Sequence, residues 1–332
     1  MRALRLCCAL IALLTVPVAT APPVPAASKA EEVGLSTERL QRIHEVVERH
    51  VNAQDVSGAV TLIERRGRIA HFEVQGLMDI ESKKPMAKDT IFRLASMSKP
   101  ITAVAVMMMV EEGKVRLTDL LTHTSGLMSG GVSGAEQAKL APRGPNDTLA
   151  NCVPKLALTP LDFQPGTLWR YSGLYGFDVL ARIVEIAAGQ PYDQFLKPRI
   201  FDPLGMKDTG FAPTPERMAR VATVYGRGPN GLVPAPNSNQ LISSMYFSAS
   251  GGLMSTAEDY LQFAQMLVNG GTLNGKRCLG PKTVELMTSN HTGDMVNGQF
   301  GRPARGMGFA LGVQVWLDPV AADRRVSPGS YG

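Results

Sequence analysis

Apolar residues between positions 36 and 75 change from a helical to a strand-like period. From Ser36 to about Val51 they recur every three or four residues, which predicts an amphipathic helix that Ser36 caps. The stripe consists of Leu40, Ile43, Val46, Val47 and Val51. Apolar and polar residues then alternate from Gly58 to Glu64 and from Ile69 to Val74, with Arg66-Gly67 between them. This pattern predicts an antiparallel hairpin after the first helix.

Later apolar segments predict further helices and one more strand. Residues Ser98 to Glu112 are apolar on nearly every side, which is typical of a helix buried in a core, and Gly113 ends it. Helical periodicity recurs in three shorter segments, Asp178 to Ala188, Thr256 to Asn269 and Lys282 to Met287. Phe309 to Leu317 is apolar at nearly every second position and predicts a strand.

The composition is that of a globular protein, with 44% hydrophobic and 19% charged residues in a chain of 332. That length exceeds one average domain. Many glycines and prolines between Thr122 and Gln240 interrupt helical stretches, which indicates a helical, loop-rich insert. The net charge of +5 is mild and gives no indication of nucleic-acid binding.

The N-terminus has the pattern of a secretory signal. Arg2 and Arg5 precede an apolar run, Leu6 to Ala19, that is too short to span a bilayer comfortably, and small residues follow at Val24-Pro25-Ala26 or Pro25-Ala26-Ala27. We therefore expect residues 1–27 to be removed and the protein to be periplasmic or secreted, with no stable membrane span after cleavage. An uncleaved anchor is the alternative. Removal of the first 26 residues would lower the charge from +5 to +3, because two arginines and no acids leave.

Two cysteines remain after that cleavage, in a compartment where disulfides can form. Cys152 and Cys278 both lie among apolar residues, which favours small core side chains, with a disulfide as the alternative. The histidines show no metal-ligand spacing, so no metal site is predicted. They are His44, His50, His71, His123 and His291. The sequence indicates no cofactor.

Ser96 and Lys99 form the one S-x-x-K arrangement in the chain, at the start of the apolar helix. Residues three apart share a helix face, so the lysine amine can reach the serine hydroxyl. A serine needs a base to become a nucleophile, and lysine serves only when burial or a neighbouring cation lowers its pKa. The pair predicts acyl transfer. An N-capping serine beside a surface lysine is the alternative, because such a pair arises about once by chance in a chain of this length.

Five ordered segments, the first of which contains this pair, carry a family resemblance. They are Phe92 to Pro100, Asp119 to Leu127, Pro165 to Thr167 with Tyr171-Ser172, Pro203 to Met206, and Gly251 to Ala257. The set resembles the class C β-lactamase-related serine hydrolases, a group that includes D-alanyl-D-alanine carboxypeptidases and carboxylesterases.

The resemblance implies an α/β (α+β) fold of the β-lactamase/transpeptidase type. Such a fold has an antiparallel sheet flanked by helices, a helical insert domain, and an active site between the two. The N-terminal pattern and the resemblance together predict a signal peptide at 1–27, a first part of the α/β domain at 28–122, the helical insert at 123–246, and an incomplete second part of the α/β domain at 247–332.

By the same resemblance, Tyr171 is the tyrosine that faces the serine and lysine and shares the proton transfer. A structural aromatic is the alternative reading of this residue. Gly173 stands where β-lactamases and penicillin-binding members keep an asparagine, whose amide would bind the amide side chain of a substrate. Its absence favours the esterase-like branch.

His123 is predicted to anchor a loop rather than to serve in a Ser-His-Asp triad. It lies in a segment that the family uses structurally, and the chain contains no G-x-S-x-G elbow. The catalytic residues predicted from the sequence are therefore Ser96, Lys99 and Tyr171.

The chain departs from the family at two further places. Val115-Arg116-Leu117 runs almost directly into the Asp119 segment, whereas relatives carry a longer stretch, so we expect a remodelled edge of the helical domain. The third motif of the family is a glycine-bearing strand that normally follows sequence of the kind seen at Ser327 to Gly332. The sequence ends at Gly332, so this strand is missing from it. The backbone N–H of this strand supplies an oxyanion donor worth on the order of 3 kcal/mol. We therefore expect either a fragment of a longer product or a weakly active member.

Three functions follow from these observations. The leading one is an exported carboxylesterase that forms an acyl-enzyme on Ser96 with small esters. The alternative is a β-lactamase or D-alanyl-D-alanine carboxypeptidase acting on β-lactam or peptide substrates. The third is a non-catalytic binding homologue that has kept the fold. The sequence does not determine the oligomeric state.

Overall fold

The computed structural model describes most of the chain after residue 28. The predicted signal peptide at 1–27 and the short join at Arg116-Leu117 lie outside the described residues. The described ranges are 29–115, 118–127, 132–144, 146–173, 175–229, 231–235, 245–296 and 305–332.

Helices make up much of the described chain. The α-helices are α1 Thr37–Asn52, α2 Ser98–Glu111, α3 Val132–Leu140, α4 Leu149–Cys152, α5 Gly176–Ala188, α6 Tyr192–Leu196, α7 Asp202–Leu204, α8 Pro215–Met218, α9 Ala257–Val268 and α10 Pro281–Met287. Tighter 3-10 turns occur at Ala30–Val33, Ala95–Met97 and Val153–Leu158, and a wider π turn occurs at Lys197–Phe201.

Strands pair with antiparallel neighbours. They are β1 Gly58–Arg65, β2 Arg68–Asp79, β3 Lys84–Pro85, β4 Phe92–Arg93, β5 Tyr225–Gly228, β6 Gly231–Pro234, β7 Met254–Ser255, β8 Thr272–Leu273, β9 Lys276–Arg277, β10 Met307–Phe309 and β11 Gln314–Trp316. The order β1-β2-β3 forms a three-stranded sheet, and four two-stranded pairs join β4 to β7, β5 to β6, β8 to β9 and β10 to β11.

The first helix and the hairpin follow the predicted pattern. The Ser36 hydroxyl accepts a hydrogen bond from the backbone N–H of Arg39 and caps α1, which packs on the hairpin of β1 and β2. The hairpin turns at Arg66 and Gly67, both with positive φ. Gly76 has no room for a side chain, because a Cβ there would lie 2.4 Å from the carbonyl oxygen of Ser57.

Helix α2 runs through the centre of the main core. Its residues from Ile101 to Met109 are all buried, as expected for a helix that is apolar on every side. Helix α5 lies along it and contributes the buried Phe177, Leu180 and Val184. The start of α2 is therefore fixed by packing on several sides, which matters because Ser96 and Lys99 lie there.

A segment far along the chain returns to the start of α2. Strand β4 pairs with β7, and the backbone N–H of Leu94 donates to the carbonyl oxygen of Leu253 at 2.9 Å. The Ser98 hydroxyl accepts from the N–H of Leu253 at 3.2 Å, and the Thr102 hydroxyl donates to the carbonyl oxygen of Ala249 at 3.1 Å. Residues 248–253 thus lie directly against the first two turns of α2.

The single strand predicted from Phe309 to Leu317 is wrong. These residues instead form the β10 and β11 hairpin, because the N–H of Ala310 donates to the carbonyl oxygen of Val313 at 2.8 Å and reverses the chain. Gly312 permits the turn with φ +85°, at a site where a Cβ would lie 2.4 Å from Ala103 Cβ. Residues 329–332 then pair with the other side of β11.

Cys152 and Cys278 are both buried and are not bridged, which confirms their interpretation as core residues. Within the described ranges, no helix has the length and apolar character needed to cross a bilayer. The domain boundaries proposed from the sequence stay a prediction.

Candidate active site

Ser96 lies at the surface in the short turn that leads into α2. The turn spans Ala95–Met97, and the Ser96 side chain is exposed to solvent. Ala95 has φ +46°, a left-handed conformation that costs a non-glycine residue about 1 kcal/mol or more. The returning segment packs directly on this turn, because a Cβ built on Gly251 would be in van der Waals contact with the Ala95 carbonyl carbon at 3.4 Å. The surrounding structure therefore holds Ser96 in a strained turn that presents its hydroxyl.

Lys99 lies behind the serine and is buried, with only 2% of its surface exposed. Its Nζ is 3.3 Å from Ser96 Oγ and donates to the carbonyl oxygens of Ser250 at 2.8 Å and Gly173 at 3.4 Å. Burial lowers the pKa of Lys99 to about 8, and the negative charge of Asp178 opposes that shift. Lys99 is therefore not the surface lysine of the alternative interpretation, in which Ser96 only caps the helix.

Tyr171 completes the cluster from a loop that precedes α5. Its phenol shares a hydrogen bond with the Ser96 hydroxyl. The Lys99 ammonium lies 5.0 Å from the centroid of the Tyr171 ring, within the range of a cation–π contact. Burial raises the pKa of Tyr171 above its ordinary value, so the phenol is neutral. A neutral phenol favours a role for Tyr171 as a proton relay over a role as a permanently ionised base.

The structure thus brings together all three residues predicted from the sequence. Ser96 comes from the turn before α2, Lys99 from the first turn of α2, and Tyr171 from a loop more than seventy residues later. The arrangement has the parts of an activated nucleophile, with a hydroxyl, an adjacent amine of lowered pKa and a proton-relaying phenol.

His123 holds the tyrosine loop in place. Its Nδ1 accepts the backbone N–H of Ser172 at 3.1 Å, and its carbonyl oxygen accepts the N–H of Arg170. Its ring centroid is 4.5 Å from that of Tyr171. Burial, helped by the positive charge of Lys99, lowers the pKa of His123 to about 3. A neutral imidazole that uses Nδ1 as an acceptor fits the predicted anchoring role.

Sequence reasoning missed two residues of the site. Ser250 supplies the closest acceptor for Lys99, and Asp178 is the buried carboxylate whose charge acts on that lysine. No local pattern marks Ser250, because its contact with Lys99 spans 151 positions. Asp178 did leave a signal, since a carboxylate stands in the apolar stripe beside Phe177 and Leu180. Such a residue is almost never buried without a partner.

Comparison with known proteins decides the family. The sequence model of the Beta-lactamase family matches residues 43–332. The chain belongs to the β-lactamase family. This confirms the resemblance inferred from the five motifs and the predicted α/β fold of the β-lactamase/transpeptidase type.

The proteins similar to this member of the β-lactamase family include one named as an esterase. Protein Rv1367c of Mycobacterium tuberculosis is 35% identical over 326 residues, covering 83% of this chain and 79% of its own. Esterase EstB of Burkholderia gladioli is 36% identical over 210 residues, covering 54% of this chain and 53% of its own. The solved structure of EstCE1, described as a hydrolase with promiscuous acyltransferase activity, matches with a TM-score of 0.76 at 28% identity, covering 87% and 86% of the two chains.

Proposed function

We propose that this β-lactamase-family serine hydrolase is a carboxylesterase that forms an acyl-enzyme on Ser96 with small esters. The observation that carries the proposal is the position of Lys99 Nζ, which lies 3.3 Å from Ser96 Oγ with a pKa near 8. An amine with that pKa is able to accept a proton close to neutral pH, whereas an exposed lysine is not.

In the first half of the reaction, neutral Lys99 takes the hydroxyl proton of Ser96 while Oγ bonds to the ester carbonyl carbon. The tetrahedral intermediate then collapses and breaks the bond to the alcohol oxygen. Tyr171 gives the departing alcohol its proton and recovers one from the Lys99 ammonium. In the second half, water attacks the acyl group and gives up a proton through the same pair. The bond between the acyl carbon and Ser96 Oγ then breaks, Oγ regains its proton, and the acid is released.

Gly173 supports an ester rather than an amide as the substrate. It contributes a backbone carbonyl to Lys99 and has no side-chain amide with which to bind a peptide or β-lactam. The 36% identity with a protein named as an esterase points the same way. An alcohol is also a better leaving group than an amine, so less protonation is needed at collapse.

A β-lactamase or D-alanyl-D-alanine carboxypeptidase is the second candidate. Its acyl-enzyme would use the same Ser96, Lys99 and Tyr171, and penicillin-binding proteins are among the relatives of the chain. Turnover of nitrocefin at a rate comparable to that of an ester, or stable labelling of Ser96 by a fluorescent penicillin, would favour this candidate.

The test compares the hydrolysis of p-nitrophenyl butyrate by the unaltered protein, Ser96→Ala and Ser289→Ala. Ser289 is an exposed serine just after α10 and serves as the matched control. Ser96→Ala should lower the rate by more than about 10³-fold, and Ser289→Ala should leave it unchanged. Equal rates in all three proteins would refute the esterase proposal. Failure of a fluorophosphonate to label Ser96 would support a non-catalytic binding homologue.

We also propose that the protein acts outside the cytoplasm, on the strength of the signal-like residues 1–27. Fractionation of cells that express the full chain, followed by N-terminal sequencing, tests this. A mature start near Ala27 or Ser28 in the periplasmic or culture fraction is expected. Recovery of uncleaved chain in the cytoplasmic fraction would contradict it.

A further inference from the structure

Asp178 is a buried carboxylate that the proposed reaction does not use. It lies in the first turn of α5 with 2% of its surface exposed. Its oxygens accept hydrogen bonds from the Tyr246 hydroxyl at 2.7 Å, the Ser248 hydroxyl at 3.1 Å and the backbone N–H of Ser250 at 2.8 Å. Burial raises the pKa of the Asp178 carboxyl above its ordinary value, and these hydrogen bonds from Tyr246, Ser248 and Ser250 oppose that rise by favouring the ionised form.

Ser250 connects this carboxylate to the proposed base. Its N–H donates to Asp178, while its carbonyl oxygen accepts from Lys99 Nζ at 2.8 Å. Residues 248–253 are thus held from one side by Asp178 on α5 and from the other side by Ser98, Lys99 and Thr102 on α2. The direction in which the Ser250 carbonyl points depends on both helices.

We propose that Asp178 is a positioning residue for Lys99: it fixes the Ser250 carbonyl that aims Nζ at Ser96, and it acts on the amine through its negative charge. The proposal rests on the proposed function only in taking Lys99 as the base for Ser96. Asp178 itself touches neither substrate nor the reacting atoms.

Among the described residues, the other titratable groups that act directly on Lys99 and Asp178 are neutral, and a further charge, the guanidinium of Arg143, lies 4.7 Å from the centroid of the Tyr246 ring. Tyr171 and His123 face Lys99, the first with a raised pKa and the second with a pKa of about 3. Three tyrosines surround Asp178, and each has a raised pKa. They are Tyr175, Tyr192 and Tyr246. Since Asp178 raises the pKa of Lys99 against the effect of burial, its loss must lower that pKa below about 8.

The test is Asp178→Asn, which keeps the volume and removes the charge. Labelling of Ser96 by a fluorophosphonate is followed against pH, since labelling needs the base but no particular substrate. In the unaltered protein the rate should fall below about pH 8, as Lys99 gains a proton. This fall in rate at low pH is the acidic limb of the profile, and in D178N it should move by about 1 pH unit to lower pH. The maximum rate should fall about tenfold, because Nζ is less well aimed.

Glu185→Gln is the matched control, because it removes a carboxylate from the same helix that bonds Arg182 and the N–H of Tyr192 instead of residues 248–250. Its acidic limb should stay in place. Asp178→Glu should restore the limb toward its original pH, since the charge returns. Should D178N fail to fold by circular dichroism, Asp178→Ser provides a second uncharged variant with space for a water. A folded, uncharged variant with an unmoved acidic limb overturns the proposal, since a merely structural role lowers the rate at every pH.

The two proposals fail differently. Labelling of Ser96 without turnover of p-nitrophenyl butyrate refutes the esterase and still leaves the labelling profile as the test of Asp178. If the unaltered protein turns over p-nitrophenyl butyrate but the acidic limb does not move in D178N, the role of Asp178 is refuted and the esterase proposal stands.

Discussion

Lys99 donates a hydrogen bond from Nζ to the carbonyl oxygen of Ser250 at 2.8 Å, although 151 positions separate the two residues in the chain. The same nitrogen lies 3.3 Å from Ser96 Oγ. Because Lys99 is buried, its side chain can adopt few other conformations. The hydrogen bond to the Ser250 carbonyl therefore determines where the proton-accepting lone pair of Nζ points. The geometry of the proposed nucleophile therefore depends on a residue that is remote in the sequence.

Replacement of the proposed base should abolish the chemistry. Lys99→Met keeps the length and apolar stem of the side chain but has no amine. We expect fluorophosphonate labelling and ester turnover to fall by more than about 10³-fold at pH about 8. Lys139→Met, on the exposed side of α3, is the control and should retain full rate. A folded K99M that retains turnover would show that another group activates Ser96.

Removal of the phenol should slow the reaction less completely. Tyr171→Phe keeps the ring that packs on His123 and faces Lys99, and it loses only the hydroxyl that bonds Ser96. Proton relay is worth about 10²-fold to 10⁴-fold, so kcat should fall within that range. Steady-state kinetics with p-nitrophenyl butyrate checks this. Tyr225→Phe, which loses a hydroxyl bonded to Glu81, is the control. Equal kcat values for both variants would contradict a role in proton transfer.

His123 should make the folded state sensitive to acid. The pKa of His123 is about 3 in the folded protein, and its ordinary value, which applies to the unfolded chain, is 6.5. Between these two pH values the unfolded chain therefore binds more protons than the folded protein. The stability that neutral His123 confers is therefore complete above about pH 6.5 and is lost progressively as the pH falls toward 3. His123→Asn cannot titrate. The slope of the unfolding free energy between pH about 4 and 6.5 should decrease by up to about 1.4 kcal/mol per pH unit.

Urea unfolding at a series of pH values measures that slope. Met109→Ala is the control, because this buried residue of α2 carries no titratable group, so its replacement should lower the unfolding free energy equally at every pH and leave the slope unchanged. The same slope in H123N and in the unaltered protein would mean that His123 does not stay neutral in the folded state.

An asparagine at position 173 should shift the preference toward amide substrates. Nothing lies within 4 Å of a Cβ built on Gly173, and its φ does not fall in the left-handed region, so the substitution fits. A side-chain amide there could bond a β-lactam side chain, which is worth roughly 1 kcal/mol. The ratio of nitrocefin to p-nitrophenyl butyrate turnover should therefore rise several-fold, up to about tenfold. Gly173→Ala adds bulk without an amide, so an equal rise in that variant would contradict the explanation.

Much of this fold follows from local patterns in the sequence. The cap at Ser36, the turn at Arg66-Gly67 and the all-apolar helix α2 each depend on residues close together in the chain, and the structure confirms them. The strand predicted across residues 309–317 was wrong for a non-local reason. Gly312 turns the chain where it meets Ala103 on α2, and alternation of apolar residues contains no record of that contact.

The candidate site divides in the same way. The sequence by itself identified Ser96 and Lys99 as a candidate pair, because residues three apart at a helix start share one face. Only the tertiary structure decided that Lys99 is buried, that Tyr171 meets it, and that Asp178 and Ser250 hold it. Burial and charge pairing arise when distant segments exclude water around a side chain, and these effects set the pKa on which the proposed chemistry depends.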